Sequence, residues 1–393
     1  MLKSISVNHY KRLQKEFLLK IDSDEKVYAI LGKEKEGKTT FIEAINTFSK
    51  VFKKSMRVLK HENEKPVYIF NFQIAKKNYE YKVVLNIERL EVVEEVLVEI
   101  YKDEKNAIFE RTNQQIKIMD SLKQMYDVFD YQRLETYLYD LRFDKTRLIL
   151  ASIFDKDFET KKINFFKEIG EALNKIFVLE ENELIYDLSL IDEKHYKKVM
   201  KSLENIGFKY DVIYFEPVNF DYLRKLFNRH LYDEFLDYVR VQMIESKHEY
   251  VYVYAFNTIF KIDGILTSEL VIKEMMIHQK EQHFHYPELS KSERIMIKLL
   301  MTIYQDRHNA IYIYDDLFDS FDPSLLTMVL KDIDKELLFD RLIFTTHQLE
   351  VLNHKDYKHA QLKIIKANEI YNLNDLKIRA DKKLSNFYIE FTK

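Results

Sequence analysis

The stretch VYAILGKEKEGKTTFIEAI, Val27 to Ile45, constrains the fold of this chain more than any other. Val27 to Leu31 is an unbroken apolar run, as expected of a strand buried on both faces of a parallel sheet. After Lys38, the residues Phe41, Ile42, Ile45 and Phe48 recur at helical spacing. Between the two lies Gly32-x-x-x-x-Gly37-Lys38-Thr39, the spacing of a phosphate-cradling loop in the place such a loop requires, after a strand and before a helix. The 393-residue chain holds only five glycines and four prolines, against average usage of about 7% and 5%. Glycine is therefore kept where something demands it, and the expected demand here is a triphosphate that side chains would obstruct. Backbone N–H groups would curl around the phosphates at the positive helix N-terminus. Lys38 would neutralise them, and Thr39, followed by Thr40, would ligate Mg²⁺. The loop interior, Lys33-Glu34-Lys35-Glu36, sets acidic side chains beside an anion site, so the expected affinity is modest.

The rest of the chain alternates in a readable way. YIFNFQIAKKNYEYKVVLNI, Tyr68 to Ile87, reads as an antiparallel hairpin turning at Lys76-Lys77-Asn78, and VVEEVLVEIY as a further strand. From about Tyr126 to Lys247 the pattern turns helical, clearest in LILASIF, INFFKEIGEALNKIF and YLRKLFNRHLYDEFLDYVRVQM. No heptad repeat is sustained, which argues against a long coiled coil. Strand pattern returns over Tyr250 to Ile262, and a helix is expected to begin near Ser290. The tail alternates AIYIYDD as strand, PSLLTMVLKDIDKELL as helix, then RLIFTTH, QLKII and EIYNL as strands. The division expected is 1–125, 126–249 as a helical insertion, and 250–393, in an α/β architecture.

Two strand ends in the second half supply further chemistry. AIYIYDDLFDSFDP is an apolar strand closing on Asp315-Asp316: the first carboxylate suits the Mg²⁺ shell, and the second suits a group that orients an attacking water. LIFTTH ends on His347, the place for a polar sensor of the γ-phosphate beside Asp316.

With LSKSERIMIKLL, Leu289 to Leu300, in view, the chain resembles the ABC-type ATPases that include SMC, RecF, and the OLD and abortive-infection ATPases. The hairpin after the P-loop, DDLFDSFDPSLLTMVLKDI, LIFTTHQLEVLN and IRADKKLSNFY look most like the OLD-like abortive-infection branch. The resemblance implies an ABC-type P-loop NTPase domain, a mixed sheet with an antiparallel β-subdomain, interrupted by the helical insertion. It implies that Ser290 and Glu293 form a signature contacting ATP held by another protomer, with Asp322 as the D-loop, Gln73 as the Q-loop position near Mg²⁺, and His347 as the switch histidine. Lys291 and Ser292 stand where that family prefers a glycine. Asp316 stands where its catalytic Glu is usual, one methylene shorter, which implies slow turnover and a timed switch rather than a motor.

The formal net charge of −3 excludes a global affinity for polyanions, although KVFKKSMRVLK, Lys50 to Lys60, is locally basic. The absence of cysteine excludes disulfides, thiolate metal sites and a cysteine nucleophile. No apolar run approaches a membrane span, and the N-terminus lacks a signal peptide's core, so a cytoplasmic chain with no membrane partner is expected. His283-Phe284-His285 has no third metal ligand in sight and reads as surface histidines. The 70 residues after Pro323 suit the closing strands, so no appended nuclease domain of the kind OLD enzymes carry is expected. The leading expectation is a Mg-ATP-dependent ATPase, at least a dimer, controlling a separately encoded nuclease or toxin in anti-phage defence. The alternative is a RecF- or SMC-like clamp that closes on DNA, and a third reading is a scaffold that binds ATP without turning it over.

Overall fold

The computed structural model describes the chain except for residues 23, 103, 114, 120–125, 155, 157–163, 180–192, 209, most of 220–249, 256–257, 264–270, 305–307, 338–339, 354–357, 359–360, 368, 379–381 and 393. The segment Tyr222 to Met243 read as helix, and the Arg379 and Asp381 of IRADKKLSNFY, thus fall largely outside the described residues. By contacts the chain forms two compact units: residues 1–178, 309–316 and 341–393, and residues 179–308 and 317–340. These units cut across the three sequence segments.

In the first unit the phosphate-loop strand Val27–Leu31 is central to a six-stranded sheet. It pairs in parallel with Leu362–Lys366 on one side and with Arg341–Thr346 on the other, and Arg341–Thr346 pairs in parallel with Ile311–Tyr314. Every residue of Val27–Leu31, Arg341–Thr346 and Ile311–Tyr314 is buried, which is why none of the three alternates and the first and last read as continuous apolar runs. Glu369–Asn372 closes one edge antiparallel, and Ile176–Leu179 lies beside Ile311–Tyr314 at the other.

A second, antiparallel sheet of seven strands runs in the order Phe17–Lys20, Leu2–Asn8, Val67–Ile74, Lys77–Asn86, Glu91–Tyr101, Glu104–Thr112, Gln115–Ile118. Here alternation is clean: Tyr68, Phe70, Phe72 and Ile74 are buried, with less buried residues between them. The helix Lys38–Lys53 lays its apolar face on these rings, Phe48 meeting Phe70 at 4.4 Å and Phe41 meeting Phe17 at 4.6 Å between centroids. The same buried cluster takes in Ile30, Ile313, Ile343 and Ile365 from the parallel sheet. The helix is thus fixed by burial on both sides, and the loop before it inherits that rigidity.

The turn of the hairpin differs from expectation by one residue. Ile74 pairs with Lys77, leaving Ala75 and Lys76 as a two-residue turn with φ of 48° and 69°. Two positive φ values match the twist of a tight hairpin, even without glycine. Among the described residues of the segment 126–249, strands stand beside helices. Helices Val128–Leu141, Ile149–Ile153, Phe165–Asn174 and Glu193–Ile206 are present, but INFFKEIGEALNKIF stops being helix at Asn174. Ile176–Leu179 then runs as a strand with all four residues buried, because an apolar run next to an open sheet edge buries more as a strand than as another helical turn.

Two buried charged side chains brace the antiparallel sheet, each through its own hydrogen bonds. Glu95 and Arg111 are cross-strand partners, both 0% exposed. Glu95 accepts from the Tyr81 hydroxyl at 2.7 Å and from the N–H groups of Ile149 and Leu150 at 2.7 and 2.9 Å, capping the helix Ile149–Ile153. Arg111 donates to the carbonyls of Arg147 and Asp144, each at 2.8 Å.

The second unit holds an antiparallel sheet in the order Val212–Pro217, Val271–Gln279, Thr258–Asp263, Tyr250–Ala255, with Gln282–His285 paired to Val271–Gln279. Tyr250 to Ile262, read as strand, is therefore a hairpin. Helix Glu193–Ile206 packs against helix Lys291–Ile303, and the buried hydroxyls of Ser202 and Tyr304 meet at 2.6 Å. Among the described residues no helix is long and apolar enough to cross a membrane.

Candidate functional site

The phosphate loop is built by a turn that side chains resist. Gly37 is the N-cap of Lys38–Lys53 at φ 97°, a left-handed conformation that suits glycine, and no side chain caps that helix end. Gly32 is needed for a different reason from the one its motif suggests. A Cβ there would come within 3.0 Å of the Ile365 Cβ on the neighbouring strand and 3.3 Å of a Glu36 carboxylate oxygen. Close packing of parallel strands, as well as room for phosphate, therefore favours glycine at that position.

Within the loop Lys35 takes φ 68°, a left-handed turn without glycine's ease. Glu36 folds back so that its carboxylate accepts the Lys33 N–H at 2.7 Å. Lys38 is 6% exposed, and its Nζ donates to the carbonyls of Gly32 at 2.7 Å and Lys33 at 3.1 Å, curled over the loop it follows. The ammonium also lies 3.5 Å from His347 Nδ1. Thr39 and Thr40 follow in the first turn, Thr39 exposed.

Parallel register brings the two later strand ends to this loop. Thr346 pairs with Leu31 and Tyr314 with Phe344, so Gly32, Asp315 and His347 all emerge at the same sheet edge. Thr345, which sequence reasoning passed over, ties them together. Its hydroxyl donates to Asp315 Oδ1 at 2.5 Å and accepts the Asp316 N–H at 2.8 Å. Asp316 turns out of the strand at φ 48°, and its Oδ1 lies 3.9 Å from His347 Nε2. The available signal was a second hydroxyl residue in an otherwise apolar strand, TT before His347.

The structure therefore gathers Gly32, Gly37, Lys38, Asp315, Asp316 and His347. Gln73 lies exposed on Val67–Ile74, with its backbone N–H bound to the Met1 carbonyl, and no described contact joins its side chain to this group. Ser290, Glu293 and Asp322 belong to the second unit. There Ser290 is the exposed N-cap of Lys291–Ile303 in a reciprocal capping box: Glu293 accepts the Ser290 N–H at 2.9 Å and its hydroxyl at 2.6 Å, and also the Tyr210 hydroxyl at 3.0 Å. Asp322 precedes the helix Pro323–Glu336, and its carbonyl accepts the Leu326 N–H. Of the histidines set aside, His283 Nδ1 is bonded to the Tyr214 hydroxyl at 2.7 Å.

Chemically, the first-unit residues fit a magnesium nucleotide. A helix N-terminus after a left-handed glycine, a buried ammonium and a strand-end carboxylate are the groups that suit phosphate and a hard cation.

No protein-family model matches the chain, and no curated protein matches it. Among solved structures it is similar to an SMC head domain from Thermotoga maritima, with 11% identity and a TM-score of 0.33 over 92% of this chain and 94% of that one. It is also similar to an Smc head domain with an extended coiled coil bound to the C-terminal domain of ScpA, derived from Pyrococcus furiosus, with 11% identity and a TM-score of 0.38 over 100% and 99%. A third is an SmcHead bound to the C-winged helix domain of ScpA, with 10% identity and a TM-score of 0.39 over 92% and 94%. Similarity this low carries no argument of its own and leaves function to be read from the chain's residues.

Proposed function

We propose that this chain binds Mg-ATP at the loop Gly32–Thr39 and hydrolyses it slowly. The observation that carries the reading is the buried Lys38, curled over the loop carbonyls beside the left-handed Gly37, on the same sheet edge as Asp315. Backbone N–H groups at the start of Lys38–Lys53 and the Lys38 ammonium hold the phosphates. Thr39 and Asp315 hold Mg²⁺, with Thr345 fixing the Asp315 carboxylate. Bound Mg²⁺ supplies the charge that neutralises phosphate oxygens. Asp316 accepts a proton from, and orients, the attacking water, and His347 beside it senses the terminal phosphate.

The exposed Ser290 at a helix N-terminus supports a site completed by a second copy of the chain, as the resemblance to ABC-type ATPases implies. In that reading the protein is an oligomeric switch controlling a separately encoded effector, in the manner of the abortive-infection branch.

Calorimetry with Mg-ATP on wild type and Lys38→Ala tests the assignment: binding should be lost in the variant with the fold intact, and unchanged affinity would remove the loop from the site. Light scattering of Asp316→Asn should then find an ATP-dependent oligomer that persists. Normal turnover by that variant takes Asp316 out of the chemistry, whereas DNA binding that appears only with ATP would favour a clamp over an effector switch.

A further inference from the structure

The basic stretch Lys50 to Lys60 plays no part in the nucleotide site, yet its residues form one wall of a cavity of about 470 Å³ within the first unit. That volume lies inside the range of about 300–1,000 Å³ usual for small-molecule sites. The helix Lys38–Lys53, whose first turn faces the phosphate loop, ends here, so the two places are the opposite ends of one helix. Helix Val128–Leu141 and the segment through Lys156 supply the other walls.

The lining is lopsided in charge. Lys53, Lys54, Arg147 and Lys156 share it with two carboxylates, Asp140 and Asp144. Asp144 is already engaged, accepting the Thr146 N–H at 2.9 Å and hydroxyl at 2.7 Å, with Arg147 at 3.6 Å. Burial works against its charged form, but those hydrogen bonds and the charges of Arg57 and Arg147 hold its carboxyl below the usual value. Lys156 Nζ lies 5.9 Å from the centroid of Tyr137, a ring of the same lining, whereas Lys53 Nζ is bonded to the Ile176 carbonyl at 3.1 Å. Apolar surface from Phe52, Leu141 and Ala151 completes the wall. Cations in excess beside a flat, partly aromatic surface form a donor set for a phosphate carried on a planar ring system.

We propose that this cavity is a second ligand site, taking a nucleoside phosphate with its phosphate on Lys54, Arg147 and Lys156 and its base against Tyr137. It stands independently of the nucleotide reading at the loop.

The test uses the full chain carrying Lys38→Ala, titrated by calorimetry with AMP, GMP, ADP, inorganic pyrophosphate and a short single-stranded oligonucleotide. The expected result is one saturable site for a nucleoside phosphate, weakened at least tenfold by adding Arg147→Glu and Lys156→Glu. Tyr137→Ala should weaken the nucleoside phosphates and leave pyrophosphate unchanged. If Lys38→Ala does not fold, wild type replaces it, and the Arg147→Glu, Lys156→Glu pair should remove one class of site. Absence of saturable binding in folded protein, equal affinity for pyrophosphate and nucleoside phosphates, or preference for the oligonucleotide overturns the proposal. Failure of the loop assignment is distinguishable, because Lys38→Ala would then bind as wild type does while the cavity variants still lose binding.

Discussion

Glu95 sits on a strand of the first unit and Asp315 just past the end of another; both accept a hydrogen bond from a hydroxyl, yet their surroundings differ. Glu95 is enclosed in the antiparallel sheet, where Tyr81 and two backbone N–H groups satisfy it and the charge of Arg111, across the strands, acts on it. Asp315 stands half-buried where a parallel strand ends, with Thr345 holding one oxygen. An antiparallel sheet closed over by helices converts a carboxylate into a brace. The end of a parallel strand leaves a side of it open to a cation. Neighbouring structure, not residue type, decides which role a carboxylate takes.

The sharpest way to break the comparison is to remove each carboxylate in turn. Glu95→Ala leaves the buried Tyr81 hydroxyl and the Ile149 and Leu150 N–H groups without their acceptor, and should cost about 3 kcal/mol or more in urea unfolding. Asp315→Ala should cost far less stability while weakening Mg-ATP binding. Equal destabilisation by the two would erase the distinction. Next in size, Thr345→Val removes the hydroxyl shared by Asp315 and the Asp316 N–H, so a loss of about 1–3 kcal/mol is expected together with slower turnover. Full activity in that variant would show that the carboxylates need no such tie.

A pH series sharpens the contrast further. Burial raises the Glu95 carboxyl pKa above its ordinary value near 4.5, even though hydrogen bonds from Leu150, Ile149 and Tyr81 and the charge of Arg111 pull the other way. A raised folded-state pKa means that this group's contribution to stability is fully present below the unfolded value and is lost as pH rises through the folded one. Wild type should therefore gain stability relative to Glu95→Gln as pH falls toward 4.5, by up to about 1.4 kcal/mol per pH unit. A pH-independent difference would mean that Glu95 does not titrate in this window. The smallest effect expected is Lys35→Gly, which relieves a left-handed backbone but frees the unfolded chain, a net change under about 1 kcal/mol either way.

The parts of this site visible in sequence are those set by local spacing. The strand, loop and helix around Gly32 and Lys38 follow from a motif and two periodicities, and Asp315 and His347 follow from apolar runs that stop at polar residues. Thr345 could not be found that way. Its role depends on parallel register, which places it beside Asp315 across a strand boundary, and inside LIFTTH a threonine looks like ordinary β-propensity. Glu95 was hidden for the same reason: in VVEEVLVEIY it is one of two adjacent glutamates, and only the pleat and its bulges select which one turns inward. The strand Ile176–Leu179 was concealed by following a helix without a breaker between Asn174 and Ile176, since its sheet partner lies far along the chain.

The crowding of Gly32 by Ile365 bears on how such chains age. In a lineage released from nucleotide binding, mutation at Thr39 would meet little resistance, because that side chain lies exposed at the first helical turn. A side chain at Gly32 would press on the next strand whether or not a phosphate arrives, so substitution there meets a packing cost that substitution at Thr39 does not.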